Sequence, residues 1–374
     1  MEQTEIVIPP DLRPSDGRFG SGPSKVRGEA VAALYRAAPG YLGTSHRREP
    51  VRSVVARLKE GLAELFGLPD GYEVVLGNGG TTVLWDAMVF GLIERCSQHL
   101  VFGEFSSKFA EAVAPAPHLA GPDVIESEPG THPEPKPAEA FDLYALTHNE
   151  TSTGVAMPVE RVDGSGLVAV DATSGAGGLR VDPLEFDFYY FAPQKCFASD
   201  GGLWIALCSP AAIDRIERIA EGDRYIPPSI DLGAAVASSR LDQTYNTPAL
   251  ATLFLTVEQI EWMIDGGGLD WSAARCDRSA GLVYTWAEQH QYAAPFVEDP
   301  AQRSHVVATV DFEGVDAAAI AAGLRANGIV DTEPYRKLGR NQLRIGMYPA
   351  VEPADVEQLT RCIDYVIEAL EPSG

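Results

Sequence analysis

The chain has 374 residues, of which 22% are charged, and 53 acidic residues against 29 basic ones give a net charge of −24 at pH 7. A surface this acidic argues against nucleic acid and anionic membranes as partners. No stretch approaches the ~20 apolar residues of a membrane span, and the N-terminus has neither the basic start nor the apolar run of a signal peptide. The five cysteines are far apart and form no CxxC pair, so we expect neither disulfides nor zinc, and a cytoplasmic protein.

The first part of the chain has the pattern of an α/β domain. Residues 1–23 are rich in Pro and Gly and predict an irregular arm. Apolar residues at helical spacing predict a helix over 51–66, and a strand over 72–76 leads through a glycine-rich turn into a helix over 81–93. Short apolar runs then predict parallel strands covered by helices on both faces, at 99–105, 141–147, 167–171, 186–191 and 203–208.

The second part predicts a smaller α/β domain. Three glycines at 266–268 suggest a boundary, after which two strands alternate with three helices, at 272–290, 305–312, 316–326, 342–347 and 353–370. The predicted fold is therefore α/β. It has an N-terminal arm (1–23), a large domain with a mainly parallel central sheet covered by helices (24–268), and a small C-terminal α/β domain (269–374).

The few basic residues are concentrated in two short segments, which suggests an anion-binding cleft in an otherwise acidic protein. Charge balance on a helix surface accounts for part of the first segment, whereas the second contains no acidic residue. Together they hold nine basic residues: Arg47, Arg48, Arg52, Arg57 and Lys59, then Arg336, Lys337, Arg340 and Arg344.

Three features could carry chemistry at one edge of the predicted sheet. Residues 77–82 (GNGGTT) join a strand to a helix, which suits a phosphate group but equally an ordinary glycine-rich turn. Asp171 and Lys195 each follow an apolar strand; either alone is best explained as a solvated strand end. A lysine between apolar residues has a lowered pKa and suits imine formation. A phosphate cradle, a lysine and a carboxylate are the parts that a pyridoxal phosphate site needs.

Five short sequence strings resemble motifs of the phosphoserine aminotransferase family. The members of this family are class V, fold-type I enzymes that use pyridoxal phosphate. The strings are GSGPS at 20–24, GTSHR at 43–47, HNETSTG at 148–154, FAPQK at 191–195 and QTYNTP at 243–248. The resemblance runs from about residue 17 to the C-terminus. It implies a homodimer that converts L-glutamate and 3-phosphohydroxypyruvate into 2-oxoglutarate and O-phospho-L-serine in serine biosynthesis. It also leaves open a phosphorylated 2-oxo acid of pyridoxine biosynthesis as a further substrate.

The resemblance also implies roles for individual residues. Lys195 would be the catalytic, imine-forming lysine, Asp171 the partner of the ring nitrogen, Phe105 the stacking aromatic and Thr151 a hydroxyl near the ring. The remaining cofactor residues would contact the phosphate, and Asn246 and Thr247 among them would come from the second subunit. Arg344 would bind the substrate's α-carboxylate and the other substrate residues its distal anion. These further residues are Gly80, Thr81, Gln194, Asn246 and Thr247 for the phosphate, and His46, Arg47 and Arg336 for the distal anion.

Two positions depart from the family pattern, and two other classes of enzyme compete with this prediction. Many relatives have His where this chain has Tyr335, and Arg where it has Thr81. An alanine–glyoxylate-type aminotransferase would have the same cofactor. A cysteine desulfurase would need a mobile loop cysteine as its nucleophile. A non-catalytic binding module would leave Lys195 and Asp171 unexplained.

Overall fold

The computed structural model describes residues 6–370, and its architecture has the two parts that the sequence predicts. The helices of this range are α1 (Gly28–Tyr41), α2 (Glu49–Phe66), α3 (Thr81–Gly91), α4 (Glu104–Val113), α5 (Pro210–Ala220), α6 (Leu232–Ser239), α7 (Leu250–Gly266), α8 (Gly268–Gln289), α9 (Ala317–Ala326) and α10 (Pro353–Leu370). The strands are β1 (Glu73–Asn78), β2 (Ser97–Val101), β3 (Asp123–Glu126), β4 (Leu143–Thr147), β5 (Asn149–Glu150), β6 (Val155–Ala156), β7 (Leu167–Asp171), β8 (Phe188–Phe191), β9 (Leu203–Cys208), β10 (Ala293–Pro295), β11 (Val307–Phe312) and β12 (Gln342–Gly346).

A seven-stranded sheet forms the centre of the larger part, in the order β1-β9-β8-β7-β4-β2-β3. Strand β9 is antiparallel to both of its neighbours, and the other adjacent pairs are parallel. The predicted α/β fold with a mainly parallel central sheet is therefore confirmed. The parallel strands β4, β7 and β8 end side by side, where Asp171 pairs with Thr147 and Tyr190. The carboxyl ends of such strands are where open α/β sheets bind ligands.

Helices cover both faces of this sheet. Strand β7 illustrates the consequence, because its side chains are buried on both faces and its sequence is apolar almost throughout. Val168 and Val170 pack into the core under α2 and α7, together with Leu58 and Leu253. The alternate residue Ala169 packs into a second core on the other face, which α3, α5 and α6 cover. Successive side chains of a strand point to opposite faces, so a strand buried on both sides must be apolar throughout.

The C-terminal part has its own core around a three-stranded antiparallel sheet, β10-β11-β12, packed with α8, α9 and α10. The N-terminal arm contributes Ile8 and Phe19 to that core, and Arg18 pairs with Val330 as an isolated parallel bridge. The arm therefore packs on the C-terminal part before the chain enters the larger one. Only Gly267, with φ of 124°, separates α7 from α8. The limits at residues 23 and 268 stay predictions.

Some boundaries differ from the prediction. The strand predicted over 99–105 ends at Val101, and Phe105 lies instead in the first turn of α4. The short strand β3 has largely exposed side chains and lacks the apolar pattern that would have predicted it. The helix predicted to start at residue 272 begins at Gly268. Within residues 6–370, no helix is long and apolar enough to cross a bilayer.

Candidate active site

A pocket of about 460 Å³ lies at the carboxyl ends of β4, β7 and β8. This volume falls within the range of small-molecule and cofactor sites, about 300–1,000 Å³. Neither Asn246 nor Thr247 lines it. The structure does bring together seven of the predicted cofactor residues around it: Gly80, Thr81, Phe105, Thr151, Asp171, Gln194 and Lys195.

Lys195 lies in the pocket wall, where the N-terminal arm holds its amine. Its Nζ donates a hydrogen bond of 2.7 Å to the carbonyl oxygen of Ser21, which also accepts one of 2.7 Å from the Tyr348 hydroxyl. Burial, together with the positive charge of Arg344, lowers the pKa of Lys195 to about 8. A Cβ on Gly22 would overlap this amine, so only glycine fits there. About a tenth of the amine is therefore neutral at pH 7, far more than for an unperturbed lysine, and the neutral form is the one that nucleophilic attack requires.

Asp171 faces Lys195 across the pocket from the end of β7 and is only 7% exposed. Its Oδ1 accepts a hydrogen bond of 2.9 Å from the backbone N–H of Thr173. Burial raises the pKa of this carboxyl to about 6, and the negative charge of Glu150 contributes to the rise. A cationic group placed beside Asp171 would reverse this effect, because an opposite charge favours the ionised form.

The glycine-rich turn before α3 forms the end of the pocket suited to a phosphate. Gly79 and Gly80 have φ of 108° and 80°, values that favour glycine, and α3 begins directly after them. The first N–H groups of α3 have no acceptor within the helix and carry a partial positive charge. Thr81 Oγ1 lies 2.9 Å from Thr173 Oγ1, so two hydroxyls flank this turn.

Phe105 and Thr151 also line the pocket. The Phe105 ring centroid lies 5.9 Å from Lys195 Nζ, close enough for a cation–π contact. The Thr151 hydroxyl donates a hydrogen bond of 2.8 Å to Ser174 Oγ, and the Thr151 carbonyl oxygen accepts one of 3.2 Å from Arg344 Nη1. The aromatic wall, the amine and the carboxylate thus surround one cavity.

These residues fit pyridoxal phosphate. The cofactor needs a phosphate cradle, an amine to bond its aldehyde and a carboxylate beside its ring nitrogen, and all three face the same pocket. In addition, two buried polar atoms that belong to lining residues, Gln194 Oε1 and Asn149 Oδ1, have no hydrogen-bond partner within the described chain. Such atoms are costly unless a polar ligand satisfies them. The described residues contain no group of three or more His, Cys, Asp or Glu that could hold a metal ion.

The predicted substrate residues fall into two groups. Arg336 and Arg344 line a smaller cavity of about 350 Å³ with Tyr335, whose ring lies 5.4 Å from the Arg344 guanidinium. Arg336 is exposed and has no ion pair or hydrogen bond within residues 6–370, whereas Lys337 and Arg340 pair with acidic side chains. Of the second basic cluster, Arg336 and Arg344 thus remain available to an anionic ligand.

The other group lies outside the pocket, in what we call the loop patch: His46, Arg47, Asn246 and Thr247. His46 Nδ1 lies 3.2 Å from Thr247 Oγ1, and Arg47 Nη1 donates a hydrogen bond of 3.3 Å to Gln243. Within one chain, none of the four lines the Lys195 pocket. The helix-surface explanation of the first basic cluster holds for Arg57 and Lys59, which pair with Glu261 and Asp242 respectively.

Sequence reasoning missed several residues that shape the site. Ser21 holds the Lys195 amine through its backbone carbonyl, a role that leaves no mark on residue type. Trp85 Nε1 donates a hydrogen bond of 3.2 Å to the buried Tyr190 hydroxyl, next to Asp171 in the sheet. Glu150 belongs to the HNETSTG string, and its side chain is fully buried, but the sequence alone assigns it no role. An acidic residue three positions after the apolar strand predicted over 141–147 was the one available signal.

Comparisons with known proteins agree with this geometry. The profile of the aminotransferase class-V family matches residues 134–359. Among solved structures, a phosphoserine aminotransferase from Cytophaga hutchinsonii superposes with a TM-score of 0.86 at 24% identity, covering 93% of this chain and 99% of that one. A phosphoserine aminotransferase from Trichomonas vaginalis, solved with pyridoxal phosphate bound, superposes with a TM-score of 0.77 at 17% identity, covering 93% and 99%. The fold and the family profile together define a class-V aminotransferase with pyridoxal phosphate as its cofactor.

A closer relative narrows the class. The phosphoserine aminotransferase of a Nocardioides species is 61% identical over 370 residues, covering 98% of this chain and 99% of the relative. The chain therefore belongs to the phosphoserine aminotransferases, and the resemblance seen in the five sequence strings is confirmed.

Proposed function

We propose that this aminotransferase transfers the amino group of L-glutamate to 3-phosphohydroxypyruvate, giving 2-oxoglutarate and O-phospho-L-serine. One observation carries the proposal: the Lys195 pocket has a phosphate cradle, an amine and a carboxylate, and near it lie Arg336 and Arg344, which form no ion pair within residues 6–370. The name of the Nocardioides relative supports the same substrate. The test is formation of glutamate from O-phospho-L-serine and 2-oxoglutarate by the purified protein, with Lys195→Ala as the inactive control. Absence of glutamate with the unmodified protein would refute the proposal.

Each pocket residue has a task in this reaction. When bound, the cofactor supplies a ring that accepts the electron pair left after the substrate's Cα loses its proton. Lys195 Nζ takes that proton and returns one later, as general base and then general acid, and a pKa of about 8 suits both roles. Asp171, with its negative charge, would keep a proton on the ring nitrogen of the bound cofactor, and the turn at Gly80 and Thr81 would hold its phosphate.

Arg344 and Arg336 divide the substrate between them in this proposal. Arg344 is half-buried next to Thr151, and its Nε has no hydrogen-bond partner in the described chain, so it can hold the α-carboxylate that all substrates share. Arg336 can bind the distal anion, which is a carboxylate in glutamate and a phosphate in the partner substrate. The same residues would accept the phosphorylated 2-oxo acid of pyridoxine biosynthesis.

We further propose a homodimer in which the loop patch of one subunit completes the pocket of the other. The patch lies outside its own pocket, yet the resemblance assigns all four of its residues to cofactor or substrate. Exposed apolar side chains precede both of its segments in the sequence: Tyr35 and Leu42 before His46, and Leu241 before Asn246, with Tyr35 82% exposed. Apolar side chains exposed in this way are typical of an interface.

The competing functions lack support in the structure. A cysteine desulfurase needs a reactive thiol, but four of the five cysteines are buried, and burial raises the pKa of the half-buried Cys96 thiol as well. An alanine–glyoxylate-type enzyme would leave Arg336 without a ligand. The five cysteines are all free, which suits the reducing cytoplasm, where we propose that the enzyme works.

A further inference from the structure

A buried carboxylate lies beside the pocket without an assigned task. Glu150 is fully buried, and within residues 6–370 no cationic side chain pairs with it. Its Oε2 accepts hydrogen bonds from the backbone N–H groups of Phe105 (3.0 Å) and Ser106 (2.8 Å). Its Oε1 accepts two from Ser152, from the N–H at 3.0 Å and from the hydroxyl at 2.7 Å. Four donors satisfy the charge, as a buried carboxylate requires.

These hydrogen bonds determine how α4 begins. Gly103, the residue before the helix, provides no side-chain cap, so the N–H groups of the first turn need other acceptors. Glu150 accepts two of them, and the Ser152 hydroxyl accepts the third, from Glu104 at 3.1 Å. A Cβ on Gly103 would overlap the Glu150 side chain, so the glycine lets the carboxylate approach. Residues 150 and 152 thus form the cap that α4 lacks locally.

We propose that Glu150 is a positioning residue, which fixes the backbone of Phe105 and so holds the aromatic wall against which the cofactor ring packs. Phe105 is the second residue of α4, and its ring is the part of that helix that faces Lys195. Glu150 also precedes Thr151, whose carbonyl oxygen holds Arg344. One buried side chain therefore connects the aromatic wall to the backbone segment that accepts a hydrogen bond from Arg344 of β12. The inference rests on the proposed function, because it concerns the site for pyridoxal phosphate.

A negative charge on Glu150 disfavours the ionised form of Asp171. A carboxylate kept here despite that cost supports the positioning role, because a neutral residue would suffice to cap α4. Glu150 contributes to the raised pKa of Asp171, so it opposes the ionised form that the cofactor needs. A neutral Ser, Asn or Gln accepts hydrogen bonds from helix N–H groups without this cost. Hydrogen bonds to a carboxylate are shorter and about twice as strong as neutral ones, and so hold the helix start more rigidly.

The experiment measures binding of pyridoxal phosphate to apoprotein and thermal stability, for Glu150→Gln and a matched control. The control is Asp142→Asn, because Asp142 is also buried and accepts three backbone N–H groups, but at the start of β2. We expect both variants to lower the melting temperature. Glu150→Gln should also raise the dissociation constant of the cofactor about tenfold, the value of one aromatic stacking contact, whereas Asp142→Asn should leave it unchanged. Wild-type affinity in Glu150→Gln would overturn the inference.

A double variant shows whether Glu150 acts through Phe105. If it does, the double variant should bind the cofactor as tightly as Phe105→Ala alone, because the Phe105 ring that Glu150 would position is already absent. Losses that simply add would contradict the inference. If Glu150→Gln does not fold, Glu150→Asp serves in the same comparison, since its shorter carboxylate cannot reach both pairs of donors. Absence of cofactor binding by the unmodified protein would refute the proposed function, whereas wild-type binding by the variants refutes only this inference.

Discussion

Removal of the Arg336 guanidinium should separate substrates by whether they carry a distal anion. Arg336 is exposed and unpaired within residues 6–370, so its loss breaks no internal contact and should leave the fold intact. A hydrogen bond to a charged group contributes roughly 1.5–3 kcal/mol, and the exposed position favours the lower value because solvent screens it. We therefore expect Arg336→Ala to lower kcat/KM for phosphoserine and glutamate about tenfold and to spare alanine.

The matched control for this experiment is Arg340→Ala, which removes the same charge from the same segment. Arg340 already pairs with Asp311, so its loss should change kcat/KM little. Arg344→Ala should instead impair phosphoserine, glutamate and alanine alike, about a hundredfold, because Arg344 is half-buried and we propose that it binds the α-carboxylate common to all three. The assay is steady-state transamination with 2-oxoglutarate for the amino donors and with a phosphorylated 2-oxo acid for glutamate. Unchanged phosphoserine kinetics in Arg336→Ala would refute the division of tasks between the two arginines.

Three other predictions follow from the pocket and the loop patch. Lys195→Ala should abolish turnover and the visible absorbance of the holoenzyme, and near-normal transamination would contradict its role. Asp171→Asn should weaken cofactor binding and slow turnover. The apoprotein of this variant should nevertheless become more stable than wild-type apoprotein, by a margin that grows as pH rises from about 4 to 7. The reason is that the wild-type carboxyl, with its pKa raised to about 6, loses up to about 3 kcal/mol of stability over that interval; a constant difference in melting temperature would refute it. Mixed dimers of Lys195→Ala and Arg47→Ala chains should recover one intact site, and hence activity that neither variant has, only if Arg47 acts in its partner's pocket.

The central features of the site were predictable because they follow the pattern of the strands. Asp171 and Lys195 both follow apolar runs, and parallel strands place such ends at one edge of the sheet. The central strands β7 and β8 were predictable for a related reason, since both are buried on both faces and read as continuous apolar segments.

What was missed depends on partners far away in the sequence. Phe105 reads as the end of a strand, but Glu150, 45 residues further on, supplies the cap that begins a helix there. The segment around Arg340 reads as a free positive cluster, but Asp311 and Glu104 neutralise two of its charges from distant elements. The amine of Lys195 is held by a backbone carbonyl of the arm, which any residue at position 21 could provide. Local patterns contain none of these contacts.

The measurement that tests the central claim most directly is the ratio of kcat/KM for O-phospho-L-serine to that for L-alanine, each with 2-oxoglutarate as acceptor. Arg336, which has no ion pair within the described range 6–370, lies beside Arg344 and predicts a strong preference for phosphoserine, because only that substrate offers an anion to both guanidinium groups. Equal use of the two amino acids, or a preference for alanine, would contradict the proposed function.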